Sequence, residues 1–377
     1  MPAPLAENHI VQTALERARE QGLARSRGWL ELGHYRRGRT GGAPVSQADG
    51  ARFFLHPRGK YDPALELETT LRAILAPPPG ELDRQSADAH AVCRFPARTL
   101  WLLKNLEIDP RMLPVRYCPG FMELARKLAA RKVTLVFSSY YLNNPASAFG
   151  HSFLRLQRAR PGTPDGRAAL LDYGVDFAAQ VDTSNSLIYA IKGISGLFEG
   201  HFSRIPYFYK VREYNDVESR DLWEYDLALT PAQIQLLVAH IWELGHTHFD
   251  YFYASENCSY HVLGLLQAVL PELDLVNGLR SPVIPSETVR RLADQPGLIS
   301  ERRFRPSLRS QLEARTLDMS RRELRLVRAL EEDPTAALPA ALETTRTALL
   351  MDAAAELLDV EHGREIIETP GGPEATR

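Results

Sequence analysis

The chain has 377 residues, which at roughly 150 per domain gives two or three domains and ample length for a buried core. Its 45 Lys and Arg against 47 Asp and Glu leave a formal charge of −2, so no global basic field exists to neutralise phosphates, and a dedicated nucleic-acid binder is excluded. Hydrophobic content of 44% and charged content of 24% are ordinary for a globular protein. The longest uncharged runs, such as 262–271, fall far short of the roughly 20 apolar residues of a membrane-crossing helix.

The first residues, Met1-Pro-Ala-Pro-Leu-Ala-Glu7, lack the basic start and apolar run of a secretory leader, so the chain reads as cytosolic or as already trimmed of one. Residues 7–22 space their apolar side chains three and four apart, predicting an amphipathic helix. Further helices are expected at 64–76, through Leu65, Leu67, Leu71 and Ile74, and at 97–106, with the breaker Pro77-Pro78-Pro79-Gly80 between them. A helix over 121–130 leads into Lys132-Val-Thr-Leu-Val-Phe-Ser138, a buried strand that opens a second domain. His151–Gln157 and Ala168–Tyr173 flank the turn-rich Pro161-Gly-Thr-Pro-Asp-Gly166 and predict an antiparallel pair; two more strands are expected at 202–207 and 220–227. Thr230 caps a helix with Pro231 at its first position, and another helix starts at Cys258 and ends before Pro271. After Pro282 the chain is expected to be helical and charged, mainly over 320–331 and 334–368.

Three cysteines are too few for a disulfide framework and show no CxxC zinc spacing. Cys93 and Cys118 either close a loop in an oxidising compartment or remain two buried thiols; Cys258 is odd in both cases. Two segments carry residue types suited to chemistry. In Asn143-Asn-Pro-Ala-Ser-Ala-Phe-Gly-His151, a polar turn ends in a histidine that opens a strand. In Ser255-Glu-Asn-Cys258, a polar cap precedes a cysteine on the first turn of an apolar helix. A helix N-terminus carries partial positive charge and free N–H groups, which lower a thiol's pKa and bind an oxyanion. A histidine from a neighbouring strand would hold the thiolate as an ion pair. Taken alone, Cys258 is as readily a small core residue, and His151 a strand histidine with a satisfied hydrogen bond. The polar run before the thiol favours a helix cap at a cleft.

Other features compete. His240, Glu243, His246, His248 and Asp250 form the densest histidine group and allow a zinc-dependent hydrolase, although Gly245 ends the helix and separates them from the HExxH pattern. Glycines 193, 196 and 200 are expected in a mobile lid. Aromatics at Tyr207–Tyr214 and Tyr251–Tyr253 either pack in the core or line a groove near the thiol. The Arg321–Arg328 stretch is a solvated basic face able to touch anionic lipid head groups.

An Asn257-Cys258 pair heading a helix, after a strand histidine earlier in the chain, resembles the circularly permuted NlpC/P60-like thiol enzymes. More closely, 133–275 is similar to the DUF4105 family, also described as the periplasmic domain of the lipoprotein N-acyltransferase Lnb. The matching text is Asn144-Pro-Ala-Ser-Ala-Phe-Gly-His151-Ser-Phe-Leu-Arg-Leu, Pro206-Tyr-Phe-Tyr-Lys-Val-Arg-Glu-Tyr, Arg220-Asp-Leu-Trp-Glu-Tyr and Glu256-Asn-Cys258-Ser-Tyr-His. Cys93-Arg-Phe-Pro-Ala-Arg and 46–54 resemble the helical module that precedes this domain in Gram-negative relatives.

The resemblance implies a Cys258 nucleophile with His151 as base, a thioester intermediate, and transfer of the acyl group to an amine or water. It implies Asp172 or Tyr173, on the strand after the histidine strand, as the orienting group. The Cys258 N–H is the expected oxyanion donor, with Tyr141, Asn143 or Asn144 as second donor and Asn257 among the substrate-side residues. It also favours export and a Cys93–Cys118 bond. The expected architecture is α+β: a helical module over 1–118, a permuted papain-like domain with a small antiparallel sheet over 119–280, and a helical region over 281–377. A lipoprotein, phospholipid or envelope peptide is the expected substrate, with peripheral membrane contact and no cofactor or metal. A non-catalytic envelope-binding module is the remaining alternative.

Overall fold

A computed structural model describes residues 3–37, 41–78, 80, 83–139, 150–158, 171–336, 339 and 342–368. In the N-terminal part, helices Ala3–Glu20, Arg27–Leu32, Pro63–Leu75 and Pro96–Leu106 close on a core of Trp29, Leu67, Leu71, Ile74, Leu102 and Leu106. The signals that start these helices are local. Asp62 Oδ1 accepts from the Ala64 and Leu65 amides at 3.1 Å, and Pro63, whose ring fixes a helical φ, stands first. A two-residue ribbon pairs β1 (Tyr35–Arg36) with β2 (Val45–Ser46). Cys93 and Cys118 are disulfide-bonded, which fastens the Ala91–Arg94 turn to the residue before helix Pro119–Leu128.

The remaining strands form one antiparallel sheet. They are β3 (Ala130–Ser138), β4 (His151–Arg158), β5 (Tyr173–Ala179), β6 (Phe198–Pro206), β7 (Leu222–Leu227), β8 (Phe249–Tyr251) and β9 (Ile299–Arg305), ordered β8-β6-β5-β4-β3-β7-β9. Strand side chains alternate between faces. Val133, Leu135, Leu154, Leu156, Val175 and Phe177 point to one face, where helices Pro231–Leu244 and Cys258–Val269 bury them. Val136 and Phe153 point to the other and pack with Tyr207, Val211, Tyr214 and Leu222. That second face is covered by helix Tyr207–Val211 and a π-helical turn over Arg212–Val217.

The α+β class holds, with two differences in detail. The sheet has seven strands and takes in residues beyond 280, because β9 lies in a stretch expected to be helical. The strand expected to end at Tyr173 begins there instead. Helices Leu308–Thr316, Arg321–Glu332 and Thr344–Glu368 form a separate core around Met319, Val327, Leu330, Leu350 and Ala353.

Candidate active site

Gly150 turns the chain into β4 at φ +91, where a Cβ would lie 2.4 Å from the Ser138 carbonyl oxygen; only glycine fits. The turn places His151 at the head of β4, opposite Ser138. Cys258 comes from the other direction, as the first residue of the Cys258–Val269 helix. Asn257 fixes that start: its Oδ1 accepts from the Ser259 amide at 3.1 Å, and its Nδ2 donates to the carbonyls of Tyr253 (3.0 Å) and Val283 (2.7 Å). The asparagine expected on the substrate side is therefore a cap whose amide is fully engaged.

Cys258 and His151 meet. The thiol is hydrogen-bonded to the His151 side chain and receives the Ser152 backbone N–H. Burial pushes the Cys258 thiol up, but the His151 charge and both hydrogen bonds outweigh it and hold the pKa below the ordinary thiol value. Burial pulls His151 down, yet Cys258, Tyr214 and Asp176 together hold it well above the usual imidazole range. These opposite shifts favour a thiolate–imidazolium pair. Cys258 is 5% exposed and the His151 side chain 14%, so the sulfur is enclosed but faces the ring.

The third member is Asp176. Its Oδ1 lies 2.5 Å from His151 Nε2, which leaves Nδ1 as the ring nitrogen for the thiol. Burial would raise the Asp176 carboxyl, but Lys210 and His151 drive it far below the usual range. Lys210 Nζ donates to Asp176 Oδ2 at 2.8 Å and sits 3.1 Å from Glu213 and 3.2 Å from the Tyr214 hydroxyl. The Tyr214 ring lies 5.7 Å from the His151 ring. A buried series, Cys258, His151, Asp176 and Lys210, thus runs from the helix end into the layer behind the sheet.

The expected orienting residues stand elsewhere. Asp172 shares the face of Asp176 but lies four residues earlier, about 13 Å along an extended chain. Its carboxylate is taken by Arg155 (2.8 Å) and the Arg158 amide (3.0 Å). Tyr173 points to the opposite face and packs against the helix-side core. Tyr141, Asn143 and Asn144 lie outside the described residues. Asp176 and Lys210 were missed, although the alternation Val175-Asp176-Phe177 and a lysine inside Tyr207-Phe-Tyr-Lys210 were legible signs of charges turned to one buried face.

The histidine group does not converge. His240 is fully buried, with Nε2 3.0 Å from His34 Nε2. His246 bonds the Trp242 carbonyl through Nδ1, and His248 lies beside His201. Among the described residues, no three His, Cys, Asp or Glu side chains are placed to hold a metal ion; the helix that carries His240 ends at Leu244, before His246 and His248. Tyr251 and Tyr253 lie within electrostatic reach of the thiol: burial first, and then nearby charge including that of Cys258, raises both phenols. They form one wall of a cavity of about 470 Å³, completed by Tyr189, Ala190, Gly193 and Phe198 among others.

Fold and site define an α+β protein in which an antiparallel sheet brings together a helix-terminal cysteine, a strand histidine and a buried aspartate. Residues 120–295, which carry all of these, match the family model described as the Lnb N-terminal periplasmic domain, and this segment is what the chain shares with that family. Residues 21–105 match a second model, a domain of unknown function (DUF7843). No curated protein and no solved structure matches the chain. The periplasmic-domain family fits a periplasmic or exported location and an envelope-related role. No described helix is long and apolar enough to cross a membrane.

Proposed function

We propose that the protein is a cysteine-dependent acyltransferase or hydrolase of the cell envelope, built as a permuted papain-like thiol enzyme. The observation that carries this reading is the contact of Cys258 with His151, itself held by Asp176. In the proposed reaction the thiol proton passes to His151 Nδ1 and the thiolate adds to an acyl carbonyl. The oxyanion faces the Cys258 N–H, one of the amides a helix start leaves without an intrahelical acceptor. As the tetrahedral adduct collapses, His151 returns its proton to the departing group and a thioester remains on Cys258. An amine or water, deprotonated by the same ring, then attacks the thioester and releases the thiol. Lipoprotein N-acylation is the member of this class that family kinship supports.

The test is mass spectrometry of the intact protein after incubation with an activated acyl ester. One acyl adduct on Cys258, lost in Cys258→Ala and strongly reduced in His151→Ala, is the expected result. Equal acylation of the Cys258→Ala variant would overturn the proposal.

A further inference from the structure

Helix Ser186–Ser195 has the reverse of the usual surface pattern. Its outward side chains Leu187, Ile191 and Ile194 are 70%, 55% and 71% exposed, and Leu197, just beyond its end, is 62% exposed. Ile188 and Val181 widen the same patch. Leu187, Ile191 and Ile194, spaced i, i+4 and i+7, form one apolar stripe turned to solvent, and exposed Leu197 follows it past the helix end. The helix lines the cavity of about 470 Å³ through Tyr189, Ala190, Gly193 and Ile194, with Tyr251 and Tyr253 also in its wall. The Tyr253 N–H donates to the Gly193 carbonyl at 2.8 Å, pinning the helix beside that wall.

Charge decides what this stripe suits. Between 181 and 198 the only ionic side chains are Asp182 and Lys192, and these pair with each other at 2.5 Å. The face therefore has no net charge with which to steer or register a charged protein partner. Its complement is an uncharged aliphatic phase.

We propose that helix Ser186–Ser195, with Val181 and Leu197, is a docking face that seats on the surface of a lipid bilayer and opens the cavity beneath it to that bilayer. Docking is independent of the chemistry assigned to Cys258; its purpose, delivery of an apolar chain to that thiol, rests on the proposed function. Seating is by apolar insertion, in contrast to the arginine-rich helix Arg321–Glu332, whose attraction would be to anionic head groups and sensitive to salt.

The experiment is flotation of the full chain with phosphatidylcholine vesicles at low and high salt. The expected result is binding that high salt does not weaken, reduced at least tenfold in the quadruple variant Leu187→Ser, Ile191→Ser, Ile194→Ser and Leu197→Ser. All four side chains are mostly exposed, so the variant keeps its fold, read by an unchanged rate of Cys258 alkylation with iodoacetamide. Cys258→Ala should float like the wild type, which separates docking from chemistry. Failure of the wild type to float, equal flotation of the quadruple variant, or binding confined to phosphatidylglycerol at low salt would each overturn the proposal. So would a wild-type dimer that does not float and that the four substitutions dissociate, since the stripe would then be a self-interface.

Discussion

Replacing Asp176 by Asn tests the buried series at its centre. The substitution keeps shape but removes the carboxylate that Lys210 contacts at 2.8 Å. Deleting one partner of a buried pair costs about 3–5 kcal/mol, because the other charge stays buried without compensation. Lys210 retains Glu213 at 3.1 Å, a half-exposed carboxylate whose contact contributes at most about 1 kcal/mol. The expected loss is therefore about 2–4 kcal/mol. Lysine can only donate, so Lys210 would hold the new amide by its oxygen and turn its NH2 toward His151 Nε2. Nε2 must then accept, the proton moves to Nδ1, and the ring can no longer take a proton from the thiol. Loss of a positioned base costs about 10²–10⁴ in rate. Adding Lys210→Met removes the stranded charge and frees the amide to turn its oxygen to Nε2. The double variant should come within about 1 kcal/mol of the wild type, as exchange of a buried pair for neutral groups often does. It should also react faster than the single variant. Urea denaturation and the second-order rate of iodoacetamide alkylation at pH 6 measure both. A double variant less stable and slower than Asp176→Asn, or wild-type alkylation in the single variant, would refute the reasoning.

Because His151 holds Cys258 below the ordinary thiol range, wild-type alkylation should persist at pH values where His151→Gln, lacking the imidazolium, has become slow; coincident pH profiles would contradict the pairing. His261, buried among Phe177, Phe249 and Tyr260, is pushed down to about 3 by burial, with Arg36 adding to the shift. Its folded pKa is below the unfolded one, so stability is complete above about pH 6.5 and falls with acid, by about 2 kcal/mol at pH 5 from this residue. Burial and the neighbouring His240 push His34 well down too, so it adds to the same acid loss, and denaturation at pH 7 and 5 reads the sum. Removing the Cys93–Cys118 bond as a double alanine variant should cost about 3 kcal/mol for a loop of this length, seen as a lower urea midpoint. Gly150→Ala should lose about 1–3 kcal/mol and most thiol reactivity, since the added carbon displaces the head of β4.

What was legible in the sequence was whatever depended on near neighbours. Thr230 and Gln233 do form a reciprocal cap, and the Cys258 helix starts where its polar prelude indicates. Family motifs then joined Cys258 to His151 across more than a hundred residues. The orienting acid failed for a local reason. The apolar run Ala168-Ala-Leu-Leu171 has the composition of a strand, so β5 is expected to end at Tyr173, and the acid nearest that end is the natural choice. With β5 starting at Tyr173, Asp172 precedes it and Asp176 falls at mid-strand. Asn257 caps the Cys258 helix, as the polar run before the thiol indicates, and its amide hydrogens are taken by the Tyr253 and Val283 carbonyls. Lys210 lay hidden among aromatics readable as core or as groove; Tyr207 packs in the core and donates to Glu224 at 2.6 Å.

The parity of the sheet explains why the site needs both layers. The cysteine helix packs on the face of Leu154 and Leu156, whereas His151, Phe153 and Arg155 alternate to the opposite face. A thiol in the middle of that helix would have the whole sheet between it and the imidazole. Contact is possible only at the end of β4, where the first helical residue reaches past the strand and accepts the Ser152 N–H. His151 and Asp176 then require cover on the far face, which helix Tyr207–Val211 and the π-helical turn supply through Lys210 and Tyr214. The same layer buries Arg155 with Asp172 and Glu224. Asp172 is thus committed to neutralising Arg155, which is why one acid on this face is left to orient the histidine and the other is not.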